Sequence, residues 1–281
     1  MSRIVYVNGA YVPEEEAMVS VFDRGFLFAD GIYEVTAVVD GKICEWEGHI
    51  GRLERSLGEI DMAMPMGADE LLEVHREMVK RNDLEEGAIY LQVTRGATDR
   101  DFVMPEGLEQ TVVLFTQAKK LTGAKSGLRV ISVPDIRWGR RDIKTVQLLA
   151  ASLVKTEAKK KGKDDAWMVE DGFVTEGSSN NTYIVTKDGK IITRNLSNSI
   201  LPGITRKSVL RLVEELDIKI EERPFTIEEA QNAAEAFMTA ATSFVTPVIE
   251  VDGVELNGGT PGPVSKRLGE VYIEESRKAS I

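Results

Sequence analysis

The sequence predicts an α+β or α/β chain built as two domains, and three observations predict it. Strand-like and helix-like segments fall in separate blocks, the α+β habit. A polar stretch at 118–127 divides the strand-rich first part from the remainder of the chain. The 281 residues exceed the common size of one domain and suit two of ordinary size. A content of 42% hydrophobic and 29% charged residues places the chain among globular proteins and not among disordered ones.

The elements run in order along the chain. Ile4 to Val7, the turn Asn8-Gly9, then Tyr11-Val12 read as a hairpin, because Asn-Gly supplies the positive φ of a two-residue turn. Ile32 to Val39, Asp40-Gly41 and Lys42 to Trp46 read as a second hairpin. Helical spacing appears at Ile50, Leu53, Leu57 and Ile60, and again at Leu71, Leu72, Val74, Met78 and Val79. Strands come next at Ala88 to Thr94 and Thr111 to Thr116, which completes a first domain over 1–117. After the linker 118–127 comes a second domain, 128–281. It opens with a strand at Leu128 to Val133. A helix is predicted from Thr145 to Lys161, with Val146, Leu149, Ala150, Leu153 and Val154 on its apolar side. Short strands at 166–169, 173–174, 182–186 and 190–193 alternate with Asp-Gly turns, and a helix runs from Ile204-Thr205 to Leu216.

Several function classes drop out on composition. A net charge of −11 argues against nucleic acid or an anionic membrane as partner. The apolar runs fall far short of the roughly 18 to 20 residues of a membrane span. Cys44 is the single cysteine, so no intrachain disulfide or thiolate cluster can form. With an N-terminus that runs directly into a strand pattern, a cytoplasmic setting is expected. The two histidines, His49 and His75, are thin material for a Ser-His-Asp triad or a histidine zinc site. No metal is expected.

Lysine, carboxylate and arginine are left to carry the chemistry. Lys144 follows an arginine-rich stretch (Arg137, Arg140, Arg141) and precedes an apolar segment. Partial desolvation and neighbouring cations would favour the neutral amine that condenses with an aldehyde; a solvated surface lysine is the plainer alternative. Glu176 ends a strand before Gly177 and a run of small polar residues. It could pair with a protonated pyridine nitrogen or be an ordinary turn residue. Leu201-Pro202-Gly203-Ile204-Thr205-Arg206 leads into a helix whose free amides and positive dipole end suit a phosphate, although most such patterns are simply helix starts.

In combination these segments resemble the class IV aminotransferases, the fold-type IV enzymes that use pyridoxal 5'-phosphate. The resemblance runs through Asp23 to Glu34, His49 to Leu53, Asp135 to Trp138 with Lys144, Thr175 to Ser179, Gly203 to Arg206 and Thr246 to Glu250, nearly the whole chain. It implies two domains with the cofactor at their interface. It implies further that Lys144 is the lysine bonded to the cofactor and the proton shuttle, and that Glu176 is the partner of the pyridine nitrogen. Arg52 with Ile204 and Thr205 is similar to the family's phosphate grip. Leu201 matches a residue packed on the ring, Arg137 an arginine near the cofactor, and Ser179, Gly203, Ala241 and Thr242 fall at further cofactor positions. Tyr33 and Arg100 match residues that hold the substrate carboxylate.

Within the family the D-amino acid aminotransferases are most similar, since Val35-Thr36-Ala37 replaces the glycine and basic residue usual in branched-chain enzymes. Two departures stand out. Phe102 occupies the place of a carboxylate-binding histidine, so one charge-assisted bond, about 1.5 to 3 kcal/mol, is missing and the amino donor is open. Ala240 and Ala241 stand where hydroxyl residues are expected beside the phosphate. The expected reaction is ping-pong transfer from a D-amino acid of the D-alanine type to a 2-oxo acid. Branched-chain L-amino acid transfer, (R)-amine transamination, aminodeoxychorismate lyase activity and a non-catalytic cofactor-binding paralogue are the alternatives. A homodimer is implied, because in the family the loop bearing Arg100 comes from the partner subunit.

Overall fold

A computed structural model describes residues 2–281, which form two compact units. The first holds 2–121, Ile143–Gln147 and Ser276–Ile281; the second holds Thr122–Asp142 and Leu148–Glu275. The polar stretch 118–127 straddles this division. Ala118 still belongs to a strand of the first unit, and Leu121 is fully buried there.

In the first unit, β1 (Ile4–Val7) and β2 (Ala10–Pro13) pair across Asn8-Gly9, both at positive φ. A short helix, α1 (Arg24–Phe28), is capped by the Asp23 carboxylate, which accepts from the Gly25 amide at 2.8 Å. Then come β3 (Gly31–Val39), β4 (Lys42–Ile43), α2 (Trp46–Gly58), α3 (Ala68–Arg81), β5 (Glu86–Thr94) and β6 (Thr111–Ala118). The six strands make one antiparallel sheet in the order β2-β1-β6-β5-β3-β4. Strand alternation sorts β3: Ile32, Glu34, Thr36 and Val38 are buried, while Tyr33 and Val35 lie on the opposite, half-buried face. Leu53 and Leu57 of α2 and Leu71 and Met78 of α3 pack on the buried face of the sheet. The second strand of the predicted hairpin is cut short at Ile43. Glu45 adopts a left-handed conformation that turns the chain, and Trp46 opens α2.

His75 lies inside this core. Its Nδ1 is 2.8 Å from the Leu71 carbonyl, and its ring meets Trp46 edge to face. Burial pushes the imidazole down to about 4, so it folds neutral. Between its unfolded value of 6.5 and about 4 the unfolded chain binds the extra proton. The contribution of His75 is therefore full above pH 6.5 and declines as pH falls through that window. Thermal melts from pH 7 to 4 are expected to show a shallower loss of Tm in His75→Leu than in the parent. Parallel slopes would refute the assignment.

The second unit contains β7 (Leu128–Pro134), α4 (Leu149–Lys160), β8 (Asp165–Glu170), β9 (Phe173–Gly177), β10 (Asn181–Val185) and β11 (Ile191–Thr193). It continues with α5 (Ile204–Glu215), β12 (Ile220–Glu222), α6 (Ile227–Gln231), β13 (Glu235–Ala240), β14 (Phe244–Val251), β15 (Val254–Glu255) and α7 (Pro263–Ala279), whose last turn counts with the first unit. The sheet runs β12-β11-β10-β13-β14-β7-β8-β9, with β15 on β14. Parallel pairs at β14-β7-β8 and β11-β12 interrupt an otherwise antiparallel order. β10 and β14 are buried along their whole length, as strands covered on both faces must be.

The predicted helix from Thr145 begins only at Leu149. Residues 143–147 are non-helical and bridge to β3 instead: the Tyr33 amide donates to the Lys144 carbonyl at 3.0 Å, the Val146 amide donates to Gly31 at 3.1 Å, and Thr145 bridges Ile32. Pairing with β3 outweighs the helical spacing. Within α4 the buried side chains are Val154 and Ala158, whereas Leu149 and Leu153 are exposed.

Candidate active site

Two groups of chemically capable residues are present, one in each unit. In the first, the segment bridged to β3 carries Lys144, whose Nζ lies 4.0 Å from the centre of the Tyr33 ring. Tyr33 stacks on Tyr90 at 5.6 Å, and Tyr90 on Phe115 at 4.7 Å, so the ring beneath the amine is held by a row of aromatics across β3, β5 and β6. The lysine is half-buried and its side chain is anchored at the root, because both backbone groups of residue 144 are bonded, the carbonyl to Tyr33 and the amide to Ser56 Oγ at 3.5 Å.

Arg52, on α2, points into the same sheet face as Glu34. Its Nε donates to Glu34 Oε1 at 2.7 Å and its Nη2 to Oε2 at 2.8 Å, while His49 Nδ1 donates to Oε2 at 2.8 Å. Glu34 is 2% exposed. Burial alone would raise its carboxyl, but the Arg52 charge and the bonds from Arg52 and His49 outweigh that and hold it far below the carboxylate range. Burial, opposed by Glu34, lowers His49, so the ring is neutral with its proton on Nδ1. Neither Glu34 nor His49 has a role legible in the sequence. The available signal is a carboxylate on the core-facing register of β3, between Ile32 and Thr36.

Arg100 and Phe102 lie elsewhere in this unit, on a loop that folds against α1. The Arg100 guanidinium stands 5.4 Å from the Phe28 ring and 5.2 Å from the Phe102 ring, and the two rings meet edge to face at 5.6 Å. Arg24 supports the loop from below, donating to the Asp101 carbonyl at 2.7 Å and to Asp30 at 2.7 Å.

In the second unit Glu176, near the end of β9, is 4% exposed. Its Oε1 takes a hydrogen bond from Arg137 Nη1, and its Oε2 accepts from Asn181 Nδ2 at 3.0 Å and from the Leu201 amide at 3.2 Å. Burial pushes the carboxyl up, and the opposing pull of Arg137 and the Leu201 amide does not restore it. Arg137 is itself desolvated, yet the charges of Glu176 and Asp135 hold it well above the guanidinium norm. Asp135, whose side chain is fully buried, grips Arg137 through Nε at 3.0 Å and Nη2 at 2.7 Å and accepts from Thr175 Oγ1 at 2.7 Å.

Ser179 is exposed between two anchored neighbours, Ser178 and Asn180, both bonded to the buried Asp165. Gly203 is the N-cap of α5 and supplies no side-chain cap, and the first turn carries no acidic residue. Ile204 and Thr205 are buried, and Leu201 is half-buried. Ala241 and Thr242 occupy the half-buried turn between β13 and β14. Glu176, Arg137 and Leu201 are therefore in direct contact, and Gly203 meets the same cluster through Asn181; Ser179, Ala241 and Thr242 belong to neighbouring turns.

In the first unit the Lys144 amine suits an aldehyde; in the second, a buried carboxyl of raised proton affinity and an uncapped helix start suit a ring nitrogen and a phosphate. A carboxylate has about four acceptor positions, and Arg137, Asn181 and Leu201 use three, which accommodates one ring N–H. Among the described residues no cluster of His, Cys, Asp and Glu could hold a metal ion, and no helix is long and apolar enough to cross a membrane.

Known proteins resemble the chain over nearly its whole length. The profile of the family amino-transferase class IV matches residues 31–251. The D-alanine aminotransferase of Staphylococcus aureus (strain N315) is 39% identical over 281 residues, covering 99% of each chain. That of Listeria monocytogenes serotype 1/2a (strain 10403S) is 35% identical over 98% of this chain and 96% of its own. The branched-chain amino acid aminotransferase of Escherichia coli superposes with a TM-score of 0.92 at 25% identity, over 98% of this chain and 95% of that one. The chain belongs to the class IV aminotransferases, and its two-unit α+β architecture is theirs.

Proposed function

We propose that the protein is a pyridoxal 5'-phosphate-dependent D-amino acid aminotransferase of the D-alanine type, with a 2-oxo acid as acceptor. The observation that carries the reading is the presence of both a poised amine and a carboxyl suited to a ring nitrogen, Lys144 over Tyr33 and Glu176 beside Arg137, in a chain similar over its full length to D-alanine aminotransferases.

When bound, pyridoxal phosphate supplies an aldehyde that condenses with amines and a ring that accepts the electron pair left at the donor's α-carbon. Lys144 Nζ would hold the cofactor through its aldehyde between turnovers and would carry the proton taken from the donor's α-carbon. Glu176 keeps the ring nitrogen protonated. Arg52 and the amides of Ile204 and Thr205 bind the phosphate, with Thr242 beside them and Leu201 against the ring. Tyr33 and Arg100 receive the substrate carboxylate. In the first half-reaction the donor leaves as its 2-oxo acid; in the second, another 2-oxo acid takes up the amino group and leaves as an amino acid.

Phe102 cannot donate a hydrogen bond, so Arg100 bears more of the carboxylate's charge. Met18, Val21, Phe22, Phe26 and Val103, all exposed on the two segments that meet at Asp23 and Ala97, support burial of this face against a second copy. Arg100 then serves the partner's site in a cytoplasmic homodimer. The decisive experiment mixes the holoenzyme with D-alanine, D-glutamate, L-leucine and (R)-1-phenylethylamine singly and follows the cofactor's visible band. Bleaching by D-alanine, with pyruvate released, is expected. Bleaching by L-leucine alone would move the reading to a branched-chain enzyme, and by the amine alone to an amine transaminase. Light scattering at one chain mass would reject the dimer.

A further inference from the structure

Asn181, the first residue of β10, is 5% exposed and has both of its amide hydrogens committed. Nδ2 donates to Glu176 Oε2 at 3.0 Å and to the Leu201 carbonyl at 3.0 Å, and the Leu201 amide closes the ring by donating to the same Glu176 oxygen at 3.2 Å. Both acceptors are oxygens, so the opposite amide orientation would set oxygen against oxygen twice; the placement of Nδ2 is fixed by its partners. On its other side, Asn181 Oδ1 lies against Gly203, the N-cap of α5. A β-carbon at 203 would stand 2.1 Å from that oxygen, far inside contact distance. One side chain therefore touches the carboxylate, the loop leading into the helix, and the helix cap.

The choice of amide has a physical reason. Glu176 already has one full cation, Arg137, on Oε1. A lysine or arginine at 181 would place a second cation on Oε2 and suppress the carboxyl's affinity for a proton. A carboxylate there would repel Glu176. A neutral two-hydrogen donor fixes the oxygen in space at little electrostatic cost, and its second hydrogen ties that position to the backbone from which α5 starts.

We infer that Asn181 is a positioning residue that holds Glu176 toward the ring nitrogen and locks it to the α5 start that receives the phosphate. This rests on the proposed cofactor chemistry. Asn181 itself touches no reacting atom; it acts through Glu176 and through residues 201–203.

A double-mutant cycle on cofactor binding tests it. The dissociation constant for pyridoxal phosphate is measured in the parent, Asn181→Leu, Glu176→Gln and the double variant. Asn181→Leu is expected to weaken binding about tenfold, the size of one lost hydrogen bond to a charged group. In the Glu176→Gln background the same change is expected to cost less than about threefold, because the charge it served is gone. Equal factors in both backgrounds would overturn the inference while leaving the proposed function intact. A parent that binds no pyridoxal phosphate would overturn both. Should Asn181→Leu fail to fold, Asn181→Asp carries the test. Its affinity relative to the parent is expected to be near normal at about pH 5, where a protonated Asp can still donate, and to fall toward about pH 8 as two carboxylates come to face each other. A ratio that stays flat across that range would overturn the assignment.

Discussion

Lys144→Ala is expected to lose transaminase activity by at least about a thousandfold, with the visible band of the bound cofactor abolished. The loss is large because one amine performs two tasks, covalent attachment and proton transfer, and among the described residues no other lysine lies over Tyr33. Folding is expected to survive. The interactions that seat the segment belong to the backbone of residue 144, its carbonyl on the Tyr33 amide and its amide on Ser56, and these remain in the variant. The side chain contributes an amine over an aromatic face, about 0.5 to 1 kcal/mol for a partly exposed pair. The variant should therefore melt within a few degrees of the parent. Turnover at a tenth of the parental rate, with the band retained, would remove Lys144 from the mechanism.

Glu34→Gln is expected to destabilise the first unit by about 3 to 5 kcal/mol, since it leaves the buried Arg52 guanidinium without its countercharge. Arg52→Met alone should cost a similar amount, and the double variant less than either, because removing both charges removes the desolvation penalty with the attraction. The pH dependence has a definite sign. The folded carboxyl sits far below the unfolded value of 4.5, so its contribution is present above pH 4.5 and is lost as pH falls toward the depressed value. Urea unfolding at about pH 7 and about pH 3.5 checks both statements. The gap between parent and Glu34→Gln should be wide at neutral pH and narrower in acid. A difference below about 1 kcal/mol at neutral pH would mean that the Arg52–Glu34 pair contributes little. The same variant should bind pyridoxal phosphate poorly, as Arg52 would no longer be held in one rotamer.

Much of the architecture was legible because it rests on local signals. Asn8-Gly9 dictates its hairpin through positive φ, and the spacings around Leu53 and Leu71 dictate α2 and α3 through a buried stripe. Class membership was legible through the stretches around Glu34, Lys144, Glu176 and Gly203, each ambiguous alone and restrictive together. The elements after Leu216 were less visible. Strands such as β14, buried on both faces, carry no alternation to betray them.

The setting of Lys144 departs from its local signal. Its neighbours have helical spacing, yet the segment is non-helical, because β3 offers backbone partners at Gly31 and Tyr33 that only the folded sheet brings within reach. The partners of the charged residues were equally hidden. Glu34 with Arg52 and His49, Glu176 with Arg137, and Asn181 with Leu201 are separated along the chain by as many as 39 residues, and hydrogen-bond geometry has no periodicity to read. The sequence by itself determined which chemical groups this protein owns and the class of fold that carries them, since residue type and local spacing are written in the chain. The tertiary structure alone decided which groups neutralise one another and which amine lies over which ring, because burial and distance, the quantities that set charge and proton affinity, exist only once the chain has folded.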